Sequence, residues 1–255
     1  MTIAVSSLHF SYGSAEILKG LDVEFLPGIN GILGPNGAGK STFAKCMAGV
    51  LRPASGSIQF ECGGDVPSVS YLSQDPVQIR NLSVLEYVLL GRADELGLRV
   101  TGEDIDSAYR PLEKLGIADL AGKDIGGLSG GQRQMAAIAQ CLVSEPEFVI
   151  LDEPTNNLDL RRELDIFQIM RAECDSRGIT CVMILHDLNF ASRFSDRITV
   201  LHQGEVYSSG TPAETVTEDM LRTVYGVESE VTINSKGIPN VEPIRSVSPF
   251  SNNIE

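Results

Sequence analysis

Apolar residues occur in short unbroken runs that are separated by longer stretches with helical periodicity. Such runs are typical of parallel strands that are covered on both faces of a sheet. The runs lie at Ile29–Leu33, Phe148–Leu151, Ile179–Leu185 and Ile198–Leu201. The segments with helical periodicity are Ser41–Leu51, Leu160–Arg177 and Asp187–Phe194. This alternation predicts an α/β fold with a mostly parallel sheet.

Residues 76–134 have a helical character that sets them apart from the strand-rich parts of the chain. Ser83 and Glu86 fit a capping box in front of an apolar helix. A second helix is predicted over Glu103–Leu115, and Pro111 should kink or divide it. The pattern therefore predicts a helical insert within the α/β core.

Two further features complete the predicted organisation. Short strands are expected at Ser57–Phe60 and Ser68–Leu72, before the insert begins. Residues 234–255 are polar, with scattered Pro, Gly and Asn, so we expect a loosely held tail there. The predicted units are a core formed by residues 1–75 and 135–233, the helical insert at 76–134, and the tail at 234–255.

Composition and charge disfavour several classes of protein. The 255 residues include 42% hydrophobic and 21% charged residues, as in a globular protein with a sizeable core. The net charge of −14 disfavours a nucleic-acid partner, because such proteins usually present a basic face. No apolar run approaches the roughly 18 residues of a membrane span, and the N-terminus lacks a signal-peptide pattern. The five cysteines form no C-x-x-C pair, so we expect small buried hydrophobes in a reducing cytosol.

The clearest chemical signal is a glycine-rich stretch that directly follows the run Ile29–Leu33. It matches G-x-x-x-x-G-K-[ST], a loop whose backbone N–H groups face phosphate oxygens at the start of a helix. Lys40 would supply positive charge to the β- and γ-phosphates, and Ser41 would offer a hydroxyl to Mg²⁺. The stretch consists of Gly34, Pro35, Asn36, Gly37, Ala38, Gly39, Lys40, Ser41 and Thr42.

Four further polar residues stand at the ends of predicted core strands, where α/β sheets bind ligands. Asp152 would hold Mg²⁺, and Glu153 would polarise the water that attacks the γ-phosphate. Adjacent acids at a strand end are often solvated turn residues, but the glycine-rich loop favours the catalytic interpretation. His186 stands where a contact to the γ-phosphate would be useful. Gln74 would bind Mg²⁺ or the attacking water and report to the insert, although judged alone it is more often a surface residue.

A second candidate phosphate loop lies at residues 128–133, with the sequence LSGGQR. Ser129 can cap a helix that runs to about Val143, and the two glycines that follow open the backbone to an anion. Lys40 already places one helix start at the triphosphate, and the insert carries Ser129 away from that sheet edge. We therefore predict that Ser129 serves the nucleotide of another molecule.

Taken in order, these motifs resemble those of the ATP-binding subunits of ABC transporters. The resemblance covers about residues 1–230 and rests on GPNGAGKST, Gln74, LSGGQ, VILDEP, Asn157-Leu158-Asp159 and His186. It implies a P-loop ATPase core with an antiparallel N-terminal β part and an α-helical insert. It also implies ATP and Mg²⁺ as cofactors, with Tyr12 stacked on adenine.

The same resemblance implies a head-to-tail homodimer. Two ATP molecules would lie between the glycine-rich loop of one subunit and the signature loop of the other. The signature loop consists of Ser129, Gly130, Gly131 and Gln132. Asp159 would lie in the loop that crosses the dimer interface.

A finer resemblance is to importers of iron–siderophore complexes, haem and cobalamin. It rests on 81–92, 186–189, 210–212 and 224–227. It implies a place at the cytoplasmic face of the cell membrane, with two polytopic permease subunits and a substrate-binding protein. The apolar helix Val84–Leu90 would form the floor of a groove for the permease. Gln140-Cys141 and Asn156-Asn157 depart from the family pattern, and neither pair is expected to touch a catalytic group.

Two alternative functions compete with transport. Chromosome and repair ATPases of the same superfamily need a long coiled coil, whereas only 89 residues separate Lys40 from Ser129. Translation ATPases usually carry two cassettes, which leaves a cofactor-assembly scaffold ATPase as the non-transport alternative. A small-molecule kinase would leave LSGGQ and His186 without a role.

Overall fold

The computed structural model describes residues 1–64, 66–74, 81–97, 99–156 and 158–247. The main sheet contains β3 (Gly28–Leu33), β5 (Val69–Leu72), β6 (Phe148–Asp152), β7 (Thr180–Ile184), β8 (Arg197–His202) and β9 (Glu205–Gly210). Its order is β5-β6-β7-β3-β8-β9, and all neighbours are parallel except β8 and β9. Every residue of β6 and β7 is buried, which explains their unbroken apolar sequences. The predicted mostly parallel sheet is confirmed.

Two smaller sheets are antiparallel. The N-terminal sheet has the order β2-β1-β4 and contains β1 (Thr2–Tyr12), β2 (Ala15–Phe25) and β4 (Ser55–Glu61). It packs on one face of the main sheet, where Phe25, Phe43, Ile32 and Ile150 share one core. The other sheet is a hairpin of β10 (Val227–Ile233) and β11 (Pro239–Ser246).

Helices occur in three groups along the chain. The first helix, α1 (Lys40–Met47), follows the glycine-rich loop. The second group lies between β5 and β6 and contains α2 (Val84–Leu89), α3 (Gly102–Lys114) and α4 (Gly130–Leu142). The last group contains α5 (Leu160–Arg177), α6 (Leu188–Phe194), α7 (Pro212–Thr215), α8 (Glu218–Met220) and a π-helical turn at Leu221–Tyr225.

Capping boxes fix the starts of α2 and α4. Ser83 Oγ accepts a hydrogen bond from Glu86 N, and Glu86 Oε2 accepts one from Ser83 N at 2.7 Å. Ser129 and Gln132 make the same exchange at the start of α4. Each box satisfies backbone donors that the first helical turn would otherwise leave without partners. The caps predicted at Ser83 and Ser129 are therefore confirmed.

A buried carboxylate joins the second group of helices to the core. Glu173 on α5 has only 5% of its surface exposed. Its carboxylate lies 2.5 Å from Lys114 Nζ on α3 and 3.2 Å from Arg177 Nη1. The two cations compensate a charge that would be costly to bury alone.

The predicted division of the helix at Pro111 is wrong. The helix α3 is continuous from Gly102 to Lys114 with Pro111 inside it. Pro111 lies in the last turn, so its missing N–H removes a single helical hydrogen bond, while Leu115 N still donates to Pro111 O at 3.0 Å.

The loosely held tail predicted from residue 234 is also wrong as far as Val247. Residues 239–246 form β11, and Val241 is 5% exposed within the main core. The Asn and Gly that favoured a tail instead build the hairpin turn. Asn234 Oδ1 accepts hydrogen bonds from Lys236 N and Ile238 N, and Gly237 adopts φ +76°. Residues 248–255 lie outside the described part of the chain.

The apolar helix Val84–Leu90, whose role as a groove floor stays a prediction, buries most of its apolar residues in the core. Val84, Tyr87, Val88 and Leu89 are buried in the core, whereas Leu85 is half-buried and Leu90 is exposed. The outward face of this helix is therefore formed by Leu85, Glu86 and Leu90.

Four of the five cysteines are buried, and Cys62 at the end of β4 is half-buried. None of the cysteines forms a disulfide. Within the described residues, no helix combines the length and the apolar character needed to cross a membrane.

Candidate functional site

The glycine-rich loop connects β3 to α1 in a conformation that needs its glycines. Gly34 has φ +147°, and a Cβ there would lie 2.2 Å from Leu201 O. Gly39 has φ +99° directly before α1 begins at Lys40. This loop brings the positive end of the helix dipole to the carboxyl edge of the sheet, where an anion is favoured.

Lys40 is folded back onto the loop that carries it. Its Nζ donates to Gly34 O at 2.7 Å and to Pro35 O at 3.0 Å, and the residue is 6% exposed. Burial lowers the pKa of Lys40, while the charges of Glu153 and Asp152 act in the opposite direction. The ammonium group is therefore positioned inside the loop.

Asp152 and Ser41 form the candidate Mg²⁺ site. Ser41 Oγ donates to Asp152 Oδ1 at 3.2 Å, and Tyr71 OH donates to Asp152 Oδ2 at 3.5 Å. Burial raises the pKa of Asp152, the hydrogen bond from Ser41 lowers it, and Glu153 raises it further. A hydroxyl and a carboxylate are hard oxygen donors, so these residues fit Mg²⁺. Proteins usually bind this ion through one or two carboxylates together with the phosphates of a substrate.

Glu153 is held by three side chains. His186 Nε2 lies 2.5 Å from Glu153 Oε1, and Gln74 Nε2 donates to Oε2 at 2.8 Å. Asn156 Nδ2 also donates to Oε2. The backbone of Glu153 has φ +54° and the residue is 8% exposed. A buried acid in the left-handed region is strained, and such strain is common where a catalytic group is held in place.

One cavity of about 520 Å³ brings together Lys40, Ser41, Gln74, Glu153 and His186, whereas Asp152 and Asn156 are not among its lining residues. Its lining consists of Ile17, Asn36, Gly37, Gly39, Lys40, Ser41, Thr42, Gln74, Glu153 and His186. The elements that deliver them are β2, the glycine-rich loop, and the ends of β5, β6 and β7. The structure therefore brings together the phosphate-binding and catalytic candidates that lie far apart in the sequence.

Tyr12 and the signature loop lie outside this cavity lining, as judged on the described residues. Tyr12 is 52% exposed at the end of β1, with its ring edge-on to Phe10 at a centroid distance of 4.8 Å. Asp159 caps α5 by accepting a hydrogen bond from Arg162 N at 3.0 Å. A Cβ on Gly131 would lie 3.1 Å from Leu158 Cδ2, so the signature loop packs beside the Asp159 segment.

The sequence interpretation missed three residues at the site. Asn156 was expected to touch no catalytic group, and its contact with Glu153 corrects that expectation. Asn157, its partner in that expectation, lies outside the described residues. Tyr71 contacts Asp152, and Tyr225 OH accepts a hydrogen bond from Gly34 N at 2.9 Å. Asn156 could have been noticed, because it departs from the family pattern three residues after Glu153. Nothing in the sequence indicated that Tyr225 lies near Gly34.

The family model for ABC transporters matches residues 18–156, which is more than half of the chain. The chain belongs to the ABC transporter family. The hemin import ATP-binding protein HmuV of Rhodopseudomonas palustris is 37% identical to this ABC chain over 254 residues, covering 92% of it and 94% of HmuV. The iron(3+)-hydroxamate import ATP-binding protein FhuC of Bacillus subtilis is 33% identical over 246 residues, covering 92% and 91% of the two proteins.

A solved structure extends the match beyond the family model. A metal-chelate type ABC transporter in an inward-facing conformation superimposes with a TM-score of 0.81 at 25% identity. The alignment covers 96% of this ABC chain and 98% of that chain. The resemblance and the ABC ATPase fold inferred from the sequence are confirmed.

Proposed function

We propose that this ABC chain is the ATP-hydrolysing, energy-coupling subunit of an importer for a metal chelate, such as an iron–siderophore complex, haem or cobalamin. The observation that carries the ATPase part is the single cavity shared by Lys40, Ser41, Glu153 and His186. The proposed substrate class rests on the names of the similar proteins, which import hemin and iron(3+)-hydroxamate.

In the proposed mechanism, the loop amides and Lys40 bind the β- and γ-phosphates at the start of α1. Ser41 and Asp152 would hold Mg²⁺, and the bound ion would supply positive charge next to the phosphate oxygens. A water oxygen attacks the γ-phosphorus, and the bond from that phosphorus to the ADP oxygen breaks. Glu153 accepts the proton that the water loses.

The residues around Glu153 position the base. Gln74 and Asn156 both donate to Oε2, so this oxygen has a fixed orientation. His186 is the third contact and lines the cavity, and in this proposal it also contacts the γ-phosphate. A base that is already oriented loses less freedom when the reaction begins.

The active form in this proposal is a head-to-tail homodimer. The signature residues begin α4, whose N-terminus favours an anion, yet they lie outside the cavity of their own chain. A second copy in the opposite orientation brings that helix start to the γ-phosphate. Two polytopic permease subunits and a substrate-binding protein complete the proposed importer, and the chain acts at the cytoplasmic face of the membrane as a peripheral subunit.

The test is co-expression of this chain with its candidate permease, followed by purification from membranes. Reconstituted vesicles should take up a radiolabelled ferric siderophore, hemin or cobalamin in an ATP-dependent manner, and Glu153→Gln should abolish uptake. Hydrolysis without any association with a membrane subunit would instead favour the cofactor-assembly alternative. Uptake of none of the three chelates by an assembled, ATP-hydrolysing complex would reject the substrate class and leave the ATPase role intact.

A further inference from the structure

The C-terminal part of the chain contacts the glycine-rich loop through the hydroxyl group of Tyr225. Tyr225 OH accepts a hydrogen bond from Gly34 N at 2.9 Å, across 191 positions of sequence. Tyr225 ends the π-helical turn Leu221–Tyr225, in which Leu221 and Val224 are buried in the main core. We propose that Tyr225 is a positioning residue that sets the glycine-rich loop for ATP binding. The inference rests on the proposed ATPase function.

Gly34 is the point where the loop leaves the sheet, and side chains hold it on both sides. Its N–H is bonded to Tyr225, and its carbonyl oxygen accepts from Lys40 Nζ at 2.7 Å. Leu201 O packs so closely that a Cβ on Gly34 would lie 2.2 Å away. The peptide groups before and after Gly34 are therefore both held by hydrogen bonds, and the first of these bonds is made with the phenol of Tyr225.

The phenol of Tyr225 is neutral, and the hairpin that follows it is hydrogen-bonded to α6. Burial raises the pKa of Tyr225 to about 12, so the hydroxyl stays neutral at physiological pH. The following hairpin is fastened to α6, because Asn189 Nδ2 donates to Val241 O at 3.2 Å and Asn189 Oδ1 accepts from Val241 N at 2.8 Å. The helix α6 begins two residues after His186. The C-terminal segment is therefore attached close to His186 through Asn189 and to the glycine-rich loop through Tyr225.

Removing only the hydroxyl leaves Gly34 N without its acceptor. The loop then shifts so that Gly34 N can donate to another acceptor. ATP binding has to restore the original loop geometry, and this costs part of the binding free energy. The loss of one hydrogen bond of this kind corresponds to about a 5-fold weaker affinity. The chemistry that follows binding uses Glu153, which Tyr225 does not contact, so the maximal rate should change far less than the affinity.

The experiment compares Tyr225→Phe with Tyr207→Phe. Tyr207 is a matched control from the same region, since its hydroxyl donates to Asp219 Oδ2 at 3.2 Å and does not line the cavity. For Tyr225→Phe we expect KM for ATP and the Kd of a fluorescent ATP analogue to rise about 5-fold, with kcat within about 2-fold of the wild type. Tyr207→Phe should leave all three unchanged.

The binding measurement separates this inference from the proposed function. If the wild type hydrolyses no ATP, the ATPase proposal fails, while Kd still reports whether Tyr225 positions the loop. A Tyr225→Phe protein with wild-type Kd and KM would overturn the inference, whatever its thermal stability. A change in kcat alone would overturn it as well, because the hydroxyl would then act on a later step.

Discussion

At the scale of single residues, the Glu153 carboxylate and the Lys40 ammonium group face the same cavity but differ in how they are held. Lys40 is bonded to the carbonyl groups of its own loop, whereas Glu153 is bonded to three side chains from other positions. The two residues should therefore have separable roles. In the proposed mechanism, Lys40 contributes to binding the phosphates, and Glu153 contributes to the step that breaks a bond.

Substitution of these two residues should separate binding from hydrolysis. Lys40→Ala removes a phosphate contact, so we expect both ATP binding and hydrolysis to fall, the latter about 100-fold or more. Glu153→Gln keeps the shape but cannot accept a proton, so it should bind ATP, hydrolyse it at least about 100-fold more slowly and remain dimeric. Light scattering with MgATP and a phosphate-release assay measure both effects.

The control for this pair is Lys236→Ala, in the exposed hairpin turn, which should behave as the wild type. A Glu153→Gln protein that stays monomeric with MgATP, or hydrolyses at the wild-type rate, would contradict the assignment.

Tyr12 offers a second test at this scale. Its exposed ring can stack on adenine, and such stacking contributes about 1–3 kcal/mol in nucleic-acid proteins. Tyr12→Ala should therefore weaken the binding of ATP and GTP alike, while Tyr12→Phe should be nearly silent. Calorimetric titration of both nucleotides distinguishes the two variants, and a loss of affinity in the Phe variant would show that the hydroxyl, not the ring face, is used.

The sequence indicated those candidate site residues whose geometry is set by their immediate neighbours in the chain. The glycine-rich loop and Asp152-Glu153 could be recognised because fixed spacing and a preceding apolar strand define their geometry. The contacts of Asn156 and Tyr225 could not be predicted from spacing, because the first depends on the tight turn after Glu153 and the second on packing between distant segments. Spacing along the chain carries no information about a single long-range hydrogen bond.

At the scale of elements, Gln74 follows β5 at the point where the core leads into the second group of helices. It donates to Glu153, so it connects the base to the chain that enters the insert. Gln74→Ala should retain ATP binding and lose most of the transport in reconstituted vesicles. The measurement compares ATP affinity with uptake in the same preparation, and uptake at the wild-type level would reject the coupling role.

The contact between α3 and α5 has its own test. Glu173→Ala removes the buried carboxylate that pairs with Lys114 and Arg177, but both cations can reach water, so we expect a loss of about 1–2 kcal/mol in the free energy of unfolding. The control Asp175→Ala removes a carboxylate that is largely exposed and 3.8 Å from Arg171, and should cost less than about 0.5 kcal/mol. Urea unfolding measures both, and equal losses would mean that burial at Glu173 adds nothing.

Element prediction worked where a local signal was decisive and failed where distant packing decided. The caps at Ser83 and Ser129 could be found from four-residue patterns. The hairpin β10–β11 could not, because its polar composition is that of a tail and its stability comes from Val241 and the bonds to Asn189. Pro111 was misjudged because its effect depends on how close it lies to the end of the helix.

At the scale of the whole molecule, the proposed composite site makes a prediction about mixed dimers. Lys40→Ala and Ser129→Arg should each be inactive alone, because every site in a homodimer contains a damaged loop. In a mixed dimer one site receives both lesions and the other receives none. An equal mixture should recover about a quarter of the wild-type activity if the sites are independent, since half of the dimers are mixed and each has one intact site.

Strict cooperation between the two sites could hide this recovery, so trapped nucleotide is the second readout. With Glu153→Gln added to both chains, we expect one ATP per mixed dimer. No trapped ATP in a mixture that contains mixed dimers would defeat the composite-site proposal.

Because four of the five cysteines are buried, a thiol reagent should react mainly with the remaining one. Burial raises the pKa of Cys46 to about 11 and those of Cys141 and Cys174 to about 12, so these thiols supply little of the reactive thiolate at neutral pH. Cys181 is fully enclosed, and burial likewise raises its pKa. A maleimide dye should therefore attach to Cys62 of the unmodified chain. Donor and acceptor dyes on separate batches would then report, by energy transfer, when MgATP brings two copies together.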